Sequence, residues 1–248
     1  MIFFRQDGDL VVTTQTDHAF FSGQLAGLWR DDELPDNPRR EEILFGIREH
    51  DNGWRETDSA PWVNPESGDP YSFLDIPTEI RFEIWLRGVQ RFADEHAYAS
   101  LLIAHHASGL HEDHRQHEGW EAFFERLDEL RKELTQRSGA DAITVRRDYR
   151  ILELTDLLSL AVCNDWREPI ERGGLRFSVR PPEEERAPES SGLPLQEMAI
   201  EPLPLAGATT FGLRYRRIPD RPYRSDGDLA GALAEARWLE RKIRVVSG

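Results

Sequence analysis

Cysteine occurs once in the 248 residues, at Cys163, which excludes an internal disulfide framework and any cysteine-rich zinc site. Lysine is nearly missing too: only Lys132 and Lys242 are present, so positive charge rests on arginine, whose planar fork suits phosphate or carboxylate. No apolar run approaches the roughly 20 residues needed to span a bilayer. The start, Met1-Ile2-Phe3-Phe4-Arg5, lacks the basic, apolar and small-residue segments of a signal peptide. A cytoplasmic protein with no membrane association is expected. Basic charge is in deficit overall: 31 Lys and Arg against 46 Asp and Glu leave a formal net charge of −15. Such a field repels nucleic-acid polymers unless a local basic cleft exists. A small phosphorylated molecule is still admitted, because a metal ion would dominate the local charge.

What is present suits a globular chain, with 39% hydrophobic and 31% charged residues. A single domain over residues 1–248 is long enough to bury a sizeable core. Asp7-Gly8 between Ile2-Phe3-Phe4 and Leu10-Val11-Val12-Thr13 predicts a β-hairpin over residues 1–13. Thr14 with Asp17 three residues on predicts a capped helix to about Arg30, with His18, Phe21, Leu25 and Leu28 on one face. After an acidic loop from Asp31 to Asp36, a second helix carries Ile43, Leu44, Ile47, His50 and Asp51 on its inner face, with Gly53 as its stop signal.

The stretch 53–77, rich in Pro, Gly, Asp and Trp, reads as one long loop that packs down. Helical periodicity then marks Phe82-Trp85-Val89, Tyr98-Leu101-His105, Phe123-Leu127-Leu134 and a segment from Asp141 to Val162. The helical core thus spans about 14–165. From Gly173 the period falls to two at Leu175, Phe177 and Val179, followed by a polar connection containing Glu183, Glu184 and Glu185. Further strands at Met198-Ile200 and Thr210-Tyr215, with a helix from Asp226 to about Arg241, complete a β-rich appendage over 173–248. The expected fold is mainly α (α+β): a helical bundle with a small antiparallel sheet made by both chain ends.

Four helices carry candidate ligands in the order His18, then His50-Asp51, then His105-His106, then Asp156. Adjacent His and Asp can feed one divalent ion through nitrogen and oxygen, although such a pair is also an ordinary helix terminus. His18 is a satisfied core histidine or a ligand. Asp156 sits among leucines, where a carboxylate is costly unless it is paired, protonated or metal-bound.

This constellation resembles the HD-domain superfamily of metal-dependent phosphohydrolases. The resemblance implies metal ligation by His18, His50, Asp51 and Asp156, and His105-His106 resembles the adjacent histidines of the binuclear HD-GYP branch. The Gly-Tyr-Pro motif is absent, as is a lysine shortly after the HD pair, where Trp54 stands. The fuller pattern, Gln15-Thr16-Asp17-His18, His50-Asp51-Asn52-Gly53-Trp54 and Ala104-His105-His106, is similar to an uncharacterised bacterial family of unknown function over most of residues 1–220.

What the resemblance implies is an HD-like fold and one or two divalent ions, with Mn, Fe, Zn and Ni equally admitted. A metal-activated hydroxide would attack a small phosphorylated substrate such as a nucleotide. Asp51 is the catalytic candidate because its two oxygens can bridge ions, while Arg55 and Trp54 are candidates for substrate contact. Two alternatives are a non-catalytic ligand sensor or scaffold that keeps the metal pocket, and a diiron oxygenase on the same scaffold.

Overall fold

A computed structural model describes residues 1–30, 34–180 and 195–248. The acidic residues Asp31, Asp32 and Glu33 and the expected polar connection around Glu183, Glu184 and Glu185 lie outside the described residues. The chain begins with a hairpin of β1 (Ile2–Gln6) and β2 (Asp9–Thr13). Its turn residues Asp7 and Gly8 both take positive φ, 53° and 80°, the geometry that matches the twist of two paired strands. Next comes α1 (Gln15–Gly27), capped by the Thr14 hydroxyl, which accepts from Asp17 N at 3.0 Å and donates to its carboxylate at 2.7 Å.

The helical middle comprises α2 (Arg40–Arg48), α3 (Arg55–Ser59), α4 (Thr78–Gln90), α5 (Ala97–His111), α6 (Glu121–Ser138) and α7 (Ala142–Cys163). Gly139, at φ 60°, closes α6 in the left-handed conformation. Asp141 then caps α7 by accepting from the backbone of Ile143 and Thr144. These signals are local, and each of these helices except α3 falls close to where its apolar period places it. Among the described residues no helix is long and apolar enough to cross a membrane.

The sheet departs from expectation. Instead of a helical bundle with a small antiparallel sheet, the molecule has 48% helix and 21% strand, with seven strands curled into a half-barrel. The further strands are β3 (Ile170–Arg172), β4 (Leu175–Arg180), β5 (Gln196–Glu201), β6 (Thr209–Pro219) and β7 (Leu239–Ser247), with α8 (Asp226–Glu235) before the last. Their order is β1-β2-β6-β7-β5-β4-β3. The sheet is mixed, because β5 and β7 run parallel from Gln196 opposite Ile243 to Ile200 opposite Ser247.

The central strand β7 is the element the expectation missed, since a helix was placed as far as Arg241. Leu239, Arg241, Ile243 and Val245 alternate as a strand, but an arginine at an inward position disguises the period. Arg241 is fully buried, its Nη2 donating to Val162 O at 2.9 Å and its Nη1 reaching Gln196 Oε1 at 3.4 Å. A buried guanidinium is tolerated only with such acceptors.

Helices and sheet share one core. Phe21 and Leu25 of α1, Leu158 of α7, Phe177 of β4, Leu213 of β6 and Ile243 of β7 belong to a single buried cluster. A second, smaller cluster joins Leu10, Ile218, Tyr223 and Leu229 beneath α8. The 53–77 stretch is not wholly irregular either: a 3₁₀ turn (Asn52–Trp54) and α3 open it, and Trp54 packs with Ile76 and Ile84.

Candidate metal centre

Two α7 side chains one turn apart hold both ring nitrogens of His18. Asp156 Oδ1 lies 2.9 Å from Nε2, and Ser159 Oγ lies 2.6 Å from Nδ1. Ser159 also donates its only proton to the His18 carbonyl at 3.0 Å. Its oxygen therefore accepts from His18 Nδ1–H, and Nε2 is left facing the carboxylate, donating to it when protonated and offering its lone pair to a cation when not. Residues at i and i+3 share a helix face, so one α7 face orients the imidazole completely.

The His50-Asp51 pair lies just past α2, whose C-cap is Glu49. His50 Nδ1 donates to Ile47 O at 2.8 Å, again turning Nε2 inward. The following Asn52 amide donates to Glu49 O at 2.8 Å and to Gly88 O at 2.9 Å, tying the turn to α4. Gly53 serves close approach rather than a simple helix stop: a Cβ there would stand 2.1 Å from Ile84 O. The whole run thus has a physical reading, with two inward ligands, an amide clamp, a contact that only glycine fits and a tryptophan wall.

The third contribution comes from α5. His106 Nε2 lies 3.5 Å from Asp156 Oδ2, and its ring meets that of His50 edge-on at 5.1 Å between centroids. Two groups, His18-His50-Asp51 and His50-His106-Asp156, each bring ligand atoms close enough to hold a metal ion. All five residues are at least 94% buried, Asp51 and Asp156 being the most exposed at 6%.

The separations fit an ion. His18 Nε2 lies 3.7 Å from Asp51 Oδ2, and His50 Nε2 lies 3.5 Å from Asp51 Oδ2 and 3.4 Å from Asp156 Oδ1. Bonds of about 2.1 Å put ligand atoms about 3.4 Å apart in a tetrahedron and about 3.0 Å apart in an octahedron. His50 Nε2 is buried with no hydrogen-bond partner among the described residues, an orphan that a cation would satisfy. Imidazole and carboxylate together form a donor set suited to a divalent transition metal.

The electrostatics agree. Burial opposes charge on His18, yet Asp156, with help from Cys163, raises it to about 9. Burial likewise opposes charge on His50, and Asp51 and Asp156 together lift it well above the ordinary imidazole range. Burial works to raise Asp156, but the hydrogen bond from His18 and the charge of His50 beside it hold its carboxyl well below the usual range. Burial carries His106 the other way, down to about 4 against the pull of Asp156, so it is neutral near pH 7. The buried histidine and aspartate groups can therefore hold a positive ion where protons otherwise sit.

A cavity of about 180 Å³ opens over Asp51, His106 and Asp156. Trp54, Phe73, Trp85 and Leu160 give it an apolar wall, while Gln15, Arg81 and His111 supply the polar lining. Gln15 is 2% exposed and its Oε1 has no partner among the described residues. Arg81 is half-buried, donating Nη2 to the carbonyls of Leu74 at 3.0 Å and Ile76 at 3.3 Å while its buried Nε stays unpaired. Neither was singled out as a substrate contact from sequence. Gln15 lies in the Gln15-Thr16-Asp17-His18 motif, where the ligand candidate is His18, and Arg81 carries no signal beyond its place on an amphipathic helix.

Two expected residues lie elsewhere. His105, about 100° round α5 from His106, accepts from Arg131 Nη2 at 3.1 Å and lines a different cavity. Successive helical residues cannot share a face, so α5 delivers one histidine of the pair. Arg55 is ion-paired to Glu49 and faces a cavity formed with Asp58 and Trp238, while Trp54 does reach the metal-side pocket.

Comparison with curated proteins and with solved structures gives no match. A family model described as "Protein of unknown function (DUF3891)" matches residues 1–220, and the chain belongs to that family.

Proposed function

We propose that the protein is a metal-dependent phosphohydrolase of HD type, acting on a small phosphorylated compound. The observation that carries this reading is the convergence of His18 and His50 Nε2 on Asp51 and Asp156 at 2.9–3.7 Å, where the two carboxylates line a cavity shared with Arg81. His18, His50, Asp51 and Asp156 would hold the first ion, with Mn, Fe, Zn and Ni all compatible with the donors. When bound, such an ion supplies Lewis acidity and lowers the pKa of a water from 15.7 toward about 7.

The chain's own residues do the rest. Ser159 and the Ile47 carbonyl hold the Nδ1 protons of His18 and His50 away from the ligand position. Asp51, which lines the cavity beside Asp156, is the catalytic carboxylate in this reading. Arg81 meets the substrate's anionic group, Gln15 offers an amide oxygen to a hydroxyl, and Trp54, Phe73 and Trp85 exclude water from the rest of the pocket.

The test is elemental analysis of purified protein, followed by turnover assays on phosphomonoesters, nucleotides and cyclic dinucleotides with added Mn²⁺. Stoichiometric divalent metal and phosphate release, both lost when His50 and Asp51 are replaced by alanine, are expected. Folded protein that takes up no divalent metal would refute the reading, and saturable binding without turnover would leave a ligand sensor in its place.

A second reading, a diiron oxygenase, draws on one observation. Asp156 turns Oδ1 toward His18 and His50 and Oδ2 toward His106, the attitude of a carboxylate shared between two ions. Two irons per chain and substrate-dependent oxygen consumption would favour it over hydrolysis.

A further inference from the structure

We propose that a second cavity, between α5, α6 and α7, is a binding site for a small phosphoryl-bearing anion, separate from the metal centre and independent of the reaction proposed there. The cavity measures about 570 Å³ and brings together His105, Arg131, Lys132 and Arg146, with the Tyr149 ring on its wall. Three permanent cations in one concavity are unexpected on a chain with a net charge of −15.

Their bonding leaves that charge available. Lys132 and Arg146 are exposed and make no ion pair or hydrogen bond with any described residue. The other lysine of the chain, Lys242, is by contrast paired with Glu240. Asp128, the one carboxylate lining the cavity among the described residues, already has both oxygens engaged, one by Arg115 at 2.8 Å and one by Arg131 at 3.2 Å. Arg131 keeps a buried Nε with no acceptor among the described residues.

His105 adds a donor by elimination. A guanidinium can only donate, so the 3.1 Å contact from Arg131 Nη2 makes His105 Nδ1 the acceptor and places the ring proton on Nε2. The lining is thus rich in donors and positive charge and poor in free acceptors, which is the complement of a phosphoryl group. Tyr149 stands between this cavity and the metal cluster, its ring 6.2 Å from His105 and 6.1 Å from His106.

The experiment titrates pyrophosphate and inorganic phosphate into the full chain by calorimetry. Ionic strength is matched with chloride, and the background carries His50→Ala and Asp51→Ala so that the metal centre does not contribute. Pyrophosphate should bind saturably, and adding Lys132→Glu and Arg146→Glu should weaken it at least tenfold without changing the thermal midpoint of the ligand-free protein. If charge reversal perturbs folding, Lys132→Gln with Arg146→Gln gives the same comparison. Equal affinity with and without the two cations, or a chloride effect as large as that of pyrophosphate, would overturn the assignment.

Discussion

The hydroxyl of Ser159 accepts the Nδ1 proton of His18 at 2.6 Å and passes its own proton to the His18 carbonyl at 3.0 Å. A residue that never meets the ion position thereby sets the tautomer of one that does. Loss of such an orienting partner typically costs 10- to 100-fold in metal affinity. Ser159→Ala should therefore weaken divalent binding by about that factor while far-UV circular dichroism stays unchanged. Isothermal titration with Mn²⁺ or Zn²⁺ makes the measurement, and unaltered affinity would deny Ser159 this role.

Gly53 carries the second expectation. An added Cβ would meet Ile84 O at 2.1 Å and Gly88 N at 3.1 Å, backbone atoms of α4 that cannot rotate away. Gly53→Ala should force α4 from the His50-Asp51 turn, destabilising the fold by on the order of 3 kcal/mol and lowering metal affinity with it. Denaturant unfolding and metal titration test the two halves separately. A variant as stable as the parent would show that α4 yields freely.

Arg81 is the cation in the metal-side pocket. Arg81→Gln should raise KM for a phosphorylated substrate about tenfold, the rough value of one charge-assisted contact, with metal content unchanged. Steady-state kinetics alongside elemental analysis separates the effects. A fall in bound metal would assign Arg81 to the scaffold of the centre instead.

Acid should unfold the protein partly through His111. Burial holds this imidazole at about 4 against an ordinary 6.5, although its bond to Ala107 O works in the opposite direction. The unfolded chain therefore takes up a proton below pH 6.5 that the folded chain refuses until about pH 4. The stability linked to His111 is complete above pH 6.5 and drains away as pH falls toward 4, on the order of 3 kcal/mol in all. Urea unfolding at pH 7 and pH 4.5 should show a smaller loss for His111→Phe than for the parent; an identical loss would place the acid sensitivity elsewhere.

Much of the chain is legible locally. Helical caps such as Thr14 and Asp141, the Asp7-Gly8 turn and the apolar period of α1, α4, α5, α6 and α7 are properties of neighbouring residues, so they can be read before any fold is known. The same periodicity turns His18 and Asp156 inward, which makes them candidates before any distance is known, but on α5 it puts His105 rather than His106 on the apolar stripe. The sheet was far less legible, because β7 pairs β6 with β5 at long sequence separation and hides a buried arginine in its alternation.

What the sequence determined by itself is the helical order and the inward set of histidines and aspartates, since both follow from spacing along a helix. Which of two adjacent histidines joins that set was decided only in three dimensions. His106 meets Asp156 of α7, while His105, about 100° away on the same helix, meets Arg131 of α6. Spacing defines the direction in which a side chain points. The packed neighbour determines what it finds there, and that neighbour lies too far along the chain for any local rule to supply.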